Sequence, residues 1–285
     1  MLINSMSRVL AVFTALWLVQ ASAGAAAGSA SHLSANALHG HPKLRSASAL
    51  IVDDAGNILY GKDIDTIRSI ASITKLMTAI VVLDSELDLD QRISITKQDR
   101  DLIKLTGSRL EYGATLSRRE LLQLALMSSE NRAANALGRS YPGGTEPFVA
   151  RMNSKARELG MMDSYFADPA GLKPENVATA KDLALLARAA DQYALIKHAT
   201  TTTRQQVQPY ARRGPLNYVN TNRLLRNNQW DIMLSKTGYI NEAGRCLVMR
   251  ANIKGEPVSI VLLNSFGKLT PFGDSNRVKQ WLSRS

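Results

Sequence analysis

Two apolar runs, 47–52 and 58–60, flank Asp53-Asp54-Ala55-Gly56-Asn57, the pattern of a β-hairpin closed by a Gly-Asn turn. The period then changes. Leu76, Ala79, Ile80 and Leu83 recur at i, i+3, i+4 and i+7, which predicts a helix with one buried face, starting near Ser72. Residues 84–98 are polar, with one short strand candidate at 93–95. Ser117-Arg118-Arg119-Glu120 forms a capping box ahead of Leu121, Leu122, Leu124 and Ala125, so a buried helix is expected there. An Ala-rich helix follows Asn131 and runs to about Arg139. Tyr141-Pro142-Gly143-Gly144 breaks the chain. Thr145 is expected to cap a helix on which Phe148, Met152 and Leu159 share a face, stopped by Gly160. Asp168-Pro169-Ala170-Gly171-Leu172 predicts a tight turn. Thr179 caps a helix with Leu183, Leu186, Ala187 and Ala190 inward. Residues 201–228 are polar with two weak strand-like pieces. Runs at 232–235, 245–253 and 258–264 predict strands, and an amphipathic helix over about 274–282 closes the chain. The order predicts an α+β fold in which the first hairpin joins the last three strands in one sheet.

Composition narrows the setting. The 285 residues are 45% hydrophobic, enough for one large domain or two closely packed lobes. Arg8, the apolar run 9–19 and Ala21-Ser22-Ala23 make a basic start, a short core and a small-x-small site. That pattern predicts a signal peptide over 1–23, with cleavage as late as 27 as the alternative. The run is short for a membrane span, and an uncleaved anchor is the competing reading. An Ala-, Ser-, Gly- and His-rich leader is expected over 24–42 and the folded domain over 43–285. The formal net charge of +11 points to an anionic polymer outside the cytoplasm. Nucleic acid is disfavoured, because the chain has no aromatic-plus-basic RNA motif, zinc-finger spacing or phosphate loop. Cys246 is the one cysteine, so no intramolecular disulfide is expected. No metal, cofactor or stable transmembrane span after signal cleavage is expected.

The candidate chemistry begins at Ser72 and Lys75. Positions i and i+3 are neighbours on one helix face, so a hydroxyl can lie beside an amine. A desolvated lysine can be the base that makes serine a nucleophile. Ser-x-x-Lys by itself is weak, because Ser94-Ile95-Thr96-Lys97 and Ser265-Phe266-Gly267-Lys268 also fit it. Lys97 leads into Gln98-Asp99-Arg100-Asp101, a solvated stretch where lysine keeps its proton, and Ser265 follows a strand. Only Ser72 begins an apolar helix. Ser129-Glu130-Asn131 lies between two apolar helices, where a loop can present side chains to a cleft, although Ser129 or Asn131 capping the next helix is the simpler alternative. Lys236-Thr237-Gly238 occurs once, on the first strand of the C-terminal β region, and its glycine permits close approach of a bound peptide. The three in this order form the motif set of penicillin-binding proteins and class A β-lactamases, with Glu130 where the set usually has Asp.

The chain resembles the low-molecular-mass penicillin-binding proteins, which are serine D,D-peptidases. Within them it is similar to the D-alanyl-D-alanine endopeptidases of the penicillin-binding-protein-seven type. The likeness runs from about Ser46 onward and is carried by the stretches 71–79, 126–134, 141–144 and 236–250. It implies a β-lactamase/transpeptidase-like fold, an antiparallel sheet flanked by helices with an all-helical lobe and the site between them. It also implies roles. Ser72 attacks the penultimate D-alanine carbonyl, Lys75 takes its proton, and Ser129 relays a proton to the leaving amine with Lys236 polarising it. Asn131 holds the substrate amide, Thr237 a carboxylate, and the backbone N–H groups of Ser72 and Tyr239 form the oxyanion hole. Gly238 belongs to the same strand motif, and Lys268 falls where a cation can stand near the substrate's terminal carboxylate. Lys236 near Lys75 is expected to lower the pKa of one ammonium.

The implied activity is hydrolysis of D-alanyl-diaminopimelate cross-bridges in periplasmic peptidoglycan, with β-lactams as covalent inhibitors and loose membrane or wall association open. A D,D-carboxypeptidase releasing terminal D-alanine shares the motifs. Membrane-anchored carboxypeptidases continue into a second β domain, and this sequence ends one helix after its last strand, which favours the endopeptidase. A β-lactamase needs a deacylating glutamate, and Glu146, Glu158 and Glu175 fit poorly. A cell-wall-binding protein with a dead site conflicts with three intact motifs.

Overall fold

A computed structural model describes residues 38–226 and 228–284. The predicted signal segment therefore lies outside the described residues, and so does the leader up to residue 37. In chain order the strands are β1 (Ser48–Asp53), β2 (Ile58–Lys62), β3 (Arg68–Ser69), β4 (Arg92–Ser94), β5 (Thr115–Ser117), β6 (Val177–Ala178), β7 (Arg204–Val207), β8 (Leu216–Val219), β9 (Asp231–Ile240), β10 (Gly244–Ile253) and β11 (Glu256–Ser265). The α-helices are α1 (Thr74–Asp84), α2 (Arg118–Met127), α3 (Asn131–Arg139), α4 (Thr145–Glu158), α5 (Ala180–Ala190), α6 (Ala194–Thr201) and α7 (Thr270–Ser283). The main sheet has the order β2-β1-β11-β10-β9, and β1 runs antiparallel to β11 with Leu50 opposite Val261. The N-terminal hairpin thus completes the C-terminal sheet, as the pattern predicted, and the architecture is α+β.

The central strands are apolar on both faces because both faces are covered. Successive side chains on a strand point to opposite sides. Leu247, Met249, Ile260 and Leu262 pack with Val278 and Trp281 of α7. Val248, Val261 and Leu50 pack on the other side with Leu183 and Leu186 of α5 and the rest of the helical core. A strand buried on both sides reads as a continuous apolar run, which is why 245–253 and 258–264 stand out in sequence. Asp274 on α7 accepts from Arg45 N, Ser46 N and Ser46 Oγ and so ties the start of the domain to its last helix. Trp281 Nε1 donates to His39 O at 3.2 Å.

Four local expectations change. The α4 N-cap is Gly144 at φ 89°, with no side-chain cap, and Thr145 is the first helical residue. Helix α6 was not expected; its buried Ile196 and Ala199 are too few to set a visible period. Strand β9 extends past the expected 232–235 run to Ile240, and it carries the Lys236-Thr237-Gly238 motif on the first C-terminal strand as expected. Helix α7 starts at Thr270 with Pro in its first turn, a residue that suits that place because its missing N–H has no partner there. Among the described residues, no helix is long and apolar enough to cross a membrane.

Candidate active site

Ser72 sits in a 3-10 turn, Ala71–Ile73, that leads directly into α1. Lys75, three residues on, stands with its Nζ 2.7 Å from Ser72 Oγ. Lys75 also donates to Asn131 Oδ1 at 2.8 Å and to Ala170 O at 2.6 Å. Its side chain is 0% exposed. Burial lowers its pKa to about 7, against the opposing charges of Asp168, Glu130 and Asp101. A neutral amine has two N–H donors and one lone pair. Ala170 O and Asn131 Oδ1 can only accept, so they take the two donors. The lone pair is left for Ser72, whose hydroxyl can donate. The surroundings therefore select both the base and the proton it takes.

The loop under Lys75 was legible only as a turn. Asp168 Oδ1 accepts from the backbone N–H groups of Ala170 and Gly171 at 2.7 and 2.6 Å, and Oδ2 from Lys173 N at 2.7 Å and Asn176 Nδ2 at 2.8 Å. These bonds hold the Ala170 carbonyl against Lys75. Gly171 has φ +75°, and a Cβ there would lie 2.0 Å from Ala71 O. Only glycine lets this loop lie on the Ser72 turn.

Ser129 comes from the α2–α3 turn at φ 61°, a left-handed conformation uncommon outside glycine. Neither Ser129 nor Asn131 caps α3. The cap is Glu130, whose carboxylate accepts from Arg132 N. Both flanking side chains are thus free for the cleft. Lys236 Nζ donates to Ser129 Oγ at 3.0 Å and to Thr237 O at 2.9 Å. It is 1% exposed. Burial holds its pKa well below the usual lysine range, and the Lys75 charge pushes the same way. Burial is therefore the main cause of both depressions, and lysine–lysine repulsion adds to that of Lys236 alone. Thr237 Oγ1 donates to Thr221 Oγ1 at 2.7 Å; Thr221 lies in the polar stretch that gave no functional signal.

Strand β9 is one edge of the sheet, and the Ser72 turn lies against it at Gly238. A Cβ on Gly238 would stand 3.3 Å from Ser72 N. Ser72, Ser129, Asn131, Thr237, Gly238 and Tyr239 line one cleft of 280 Å³. Every expected site residue is therefore in or directly beneath one place. Arg223, Arg245 and Lys268 line the same cleft, and among the described residues no carboxylate does. Arg245 also stacks on the Tyr239 ring at 3.7 Å. The other Ser-x-x-Lys pairs fall elsewhere. Ser94 bonds Thr115 on an exposed strand, and Ser265 is buried against Ser46. Cys246 is buried opposite Gly238 on the neighbouring strand β10, and burial pushes its thiol up to about 11, which disfavours the reactive thiolate.

A family model described as D-alanyl-D-alanine carboxypeptidase, Peptidase S11, matches residues 35–267. The chain belongs to the S11 serine peptidases. A D-alanyl-D-alanine endopeptidase of Pseudomonas aeruginosa is 47% identical over 241 residues, which span 84% of this chain and 78% of that protein. One of Escherichia coli is 43% identical over 242 residues, spanning 85% and 78%. Among solved structures, the Streptomyces K15 DD-transpeptidase matches with a TM-score of 0.80 at 27% identity, covering 86% of this chain and all of that one. The S11 membership agrees with the motif reading.

Proposed function

We propose that this S11 peptidase cleaves D-alanyl cross-bridges of peptidoglycan through an acyl-enzyme on Ser72. The observation that carries the proposal is the buried Lys75, with its pKa near 7 and its nitrogen 2.7 Å from Ser72 Oγ. The endopeptidase assignment is supported by the two relatives above, and a periplasmic place of work is supported by a peptidoglycan substrate together with the signal-like N-terminus.

The substrate peptide lies along the free edge of β9, where an added strand can use main-chain hydrogen bonds. Lys75 takes the Ser72 proton as Oγ bonds to the carbonyl carbon of the penultimate D-alanine. The carbonyl oxygen gains the negative charge and is held by the N–H groups of Ser72 and Tyr239, an arrangement of donors that stabilises such an oxyanion. The C–N bond then breaks. Ser129 passes a proton to the leaving amine and is reprotonated from the lysine side, with Lys236 fixing its orientation. Asn131 holds the peptide amide, and Thr237 with the nearby Arg245 and Lys268 receives the carboxylate of the leaving residue. Water attacks the ester carbonyl, Lys75 again removes a proton, and Ser72 is released. A β-lactam follows the first half of this path and remains on Ser72.

A fluorescent penicillin tests the nucleophile. The protein becomes labelled, Ser72→Ala abolishes labelling and Ser94→Ala leaves it intact; label retained by Ser72→Ala refutes the assignment. Muropeptide dimers and free pentapeptides digested side by side test the substrate. Dimer cleavage is expected, and D-alanine release from pentapeptide alone would make the enzyme a carboxypeptidase.

A further inference from the structure

The loop between Asp99 and β5 carries a chain of hydrogen bonds that ends on the base. Asp101 is buried, and it shapes the loop. Its Oδ1 accepts from Ile103 N at 2.9 Å and Lys104 N at 2.8 Å, and its Oδ2 from Thr106 N at 3.0 Å. Thr106 Oγ1 donates to the same Oδ2 at 2.7 Å. A hydroxyl has one proton. With that proton given to Asp101, Thr106 Oγ1 can only accept on its other side, and it accepts from Asn131 Nδ2 at 2.8 Å. The Asn131 amide is thereby oriented, because a flip would set its NH₂ against Lys75 and its carbonyl against an oxygen with no proton to offer. Oδ1 faces Lys75 Nζ at 2.8 Å as a result. The loop is held at its other end by Lys104, whose Nζ lies 2.5 Å from Glu242 Oε1 in the turn between β9 and β10.

We propose that Thr106, fixed by Asp101, is a positioning residue that sets the Asn131 amide toward both Lys75 and the substrate. The inference rests on the reading of Lys75 as the base. An oxygen acceptor on Lys75 favours its charged form, so losing the orientation lowers the proton affinity of Lys75 while spoiling the presentation of Asn131. The charged groups facing Lys75 are Asp168 from the loop beneath, Glu130 from the α2–α3 turn, Asp101 from this loop and Lys236 from β9. Substituting Thr106 removes none of them. The Thr106 side chain is exposed, so its substitution leaves the core intact.

The test is the rate of penicillin acylation against pH for the wild type, Thr106→Val, Thr106→Ser and Ser72→Ala, with a melting curve for each. Thr106→Val is expected to lower the plateau rate about tenfold, the loss of roughly one hydrogen bond. It should also move the acid-side midpoint below the wild-type value, at an unchanged melting temperature. Thr106→Ser should restore both. The proposal is overturned if Thr106→Val matches the wild type in rate and midpoint. Equal impairment of Thr106→Ser also overturns it, as does a lower rate that tracks a lower melting temperature at an unchanged midpoint. Absent labelling of the wild type, or labelling of Ser72→Ala, would instead sink the reading of the nucleophile.

Discussion

Gly238 on β9 and Ser72 on the turn before α1 lie back to back. A Cβ at position 238 would stand 2.8 Å from Ile70 O, 3.2 Å from the Ala71 Cβ and 3.3 Å from Ser72 N. The strand and the nucleophile turn are thus in backbone contact, and two of these neighbours are main-chain atoms that cannot rotate aside. Gly238→Ala should separate β9 from Ser72. A misplacement on the order of 1 Å costs about 100-fold in rate, and a loss of that size in penicillin acylation is expected, with the far-ultraviolet circular dichroism retained. Wild-type acylation by Gly238→Ala would show that the contact does not set the geometry.

The acid limb of the reaction belongs to Lys75. Its base form is the reactive one, and its pKa is lowered to about 7. Below that pH the amine holds its proton and cannot take one from Ser72. Acylation should therefore rise with pH and reach half its plateau near pH 7. Lys75→Arg removes the limb and the activity together, because a guanidinium does not deprotonate in proteins. Stopped-flow measurement with a chromogenic β-lactam checks both outcomes.

The legible part of this molecule is the part with strong local grammar. The hairpin, the capping box at Ser117 and the doubly apolar strands each state their structure within a few residues. Ser72, Ser129 and Lys236 could be grouped because their motifs recur in a known order. Three things that finish the site are written differently. Asp168 looks like any turn aspartate, because its role is to collect N–H groups of the residues after it; the Asp-x-x-Gly spacing in 168–171 is the one hint. Thr106 and Thr221 are single polar residues in polar stretches, and only the folded chain brings them to Asn131 and Thr237. The strain at Ser129 and Ala71, both at positive φ, is likewise imposed by tertiary packing, and neither residue type signals it.

The clamp between the two ends of the domain should fail in acid. Burial of Asp274 works to raise its pKa, but hydrogen bonds from Ser46 Oγ, Arg45 N and Ser46 N, with that of Arg277, outweigh it and hold the carboxyl below the usual carboxylate range. A depressed carboxylate pKa stabilises the fold above the unfolded value of 3.8. That contribution disappears as pH falls through the lower, folded value. Asp274→Ala should cost about 2–3 kcal/mol at neutral pH, since buried N–H donors lose their acceptor. The difference from wild type should shrink below pH 3.8, as urea unfolding at several pH values would reveal. A difference that is constant with pH would contradict the linkage.

Asp168 couples stability to catalysis through a different route. Its carboxylate accepts from Ala170 N, Gly171 N, Leu172 N and Lys173 N and from the Asn176 amide. Asp168→Asn puts a donor where one of these oxygens accepts, so at least one buried N–H is left unpaired, at a cost of about 1–3 kcal/mol. The Ala170 carbonyl then loses its fixed place at Lys75, and the acceptor that orients the amine is gone. The charge matters as well. Asp168 is the largest influence raising the Lys75 pKa against burial. Neutralising it should therefore move the acid-side midpoint of acylation below about 7, while the plateau rate falls because the amine is misaligned and a weaker base. A slower enzyme that works to lower pH is an unusual combination, and general unfolding does not produce it. Acylation profiles of Asp168→Asn beside its urea unfolding curve measure the two effects separately. A midpoint that stays in place or rises would mean that Asp168 acts on the loop alone and not on the charge state of Lys75.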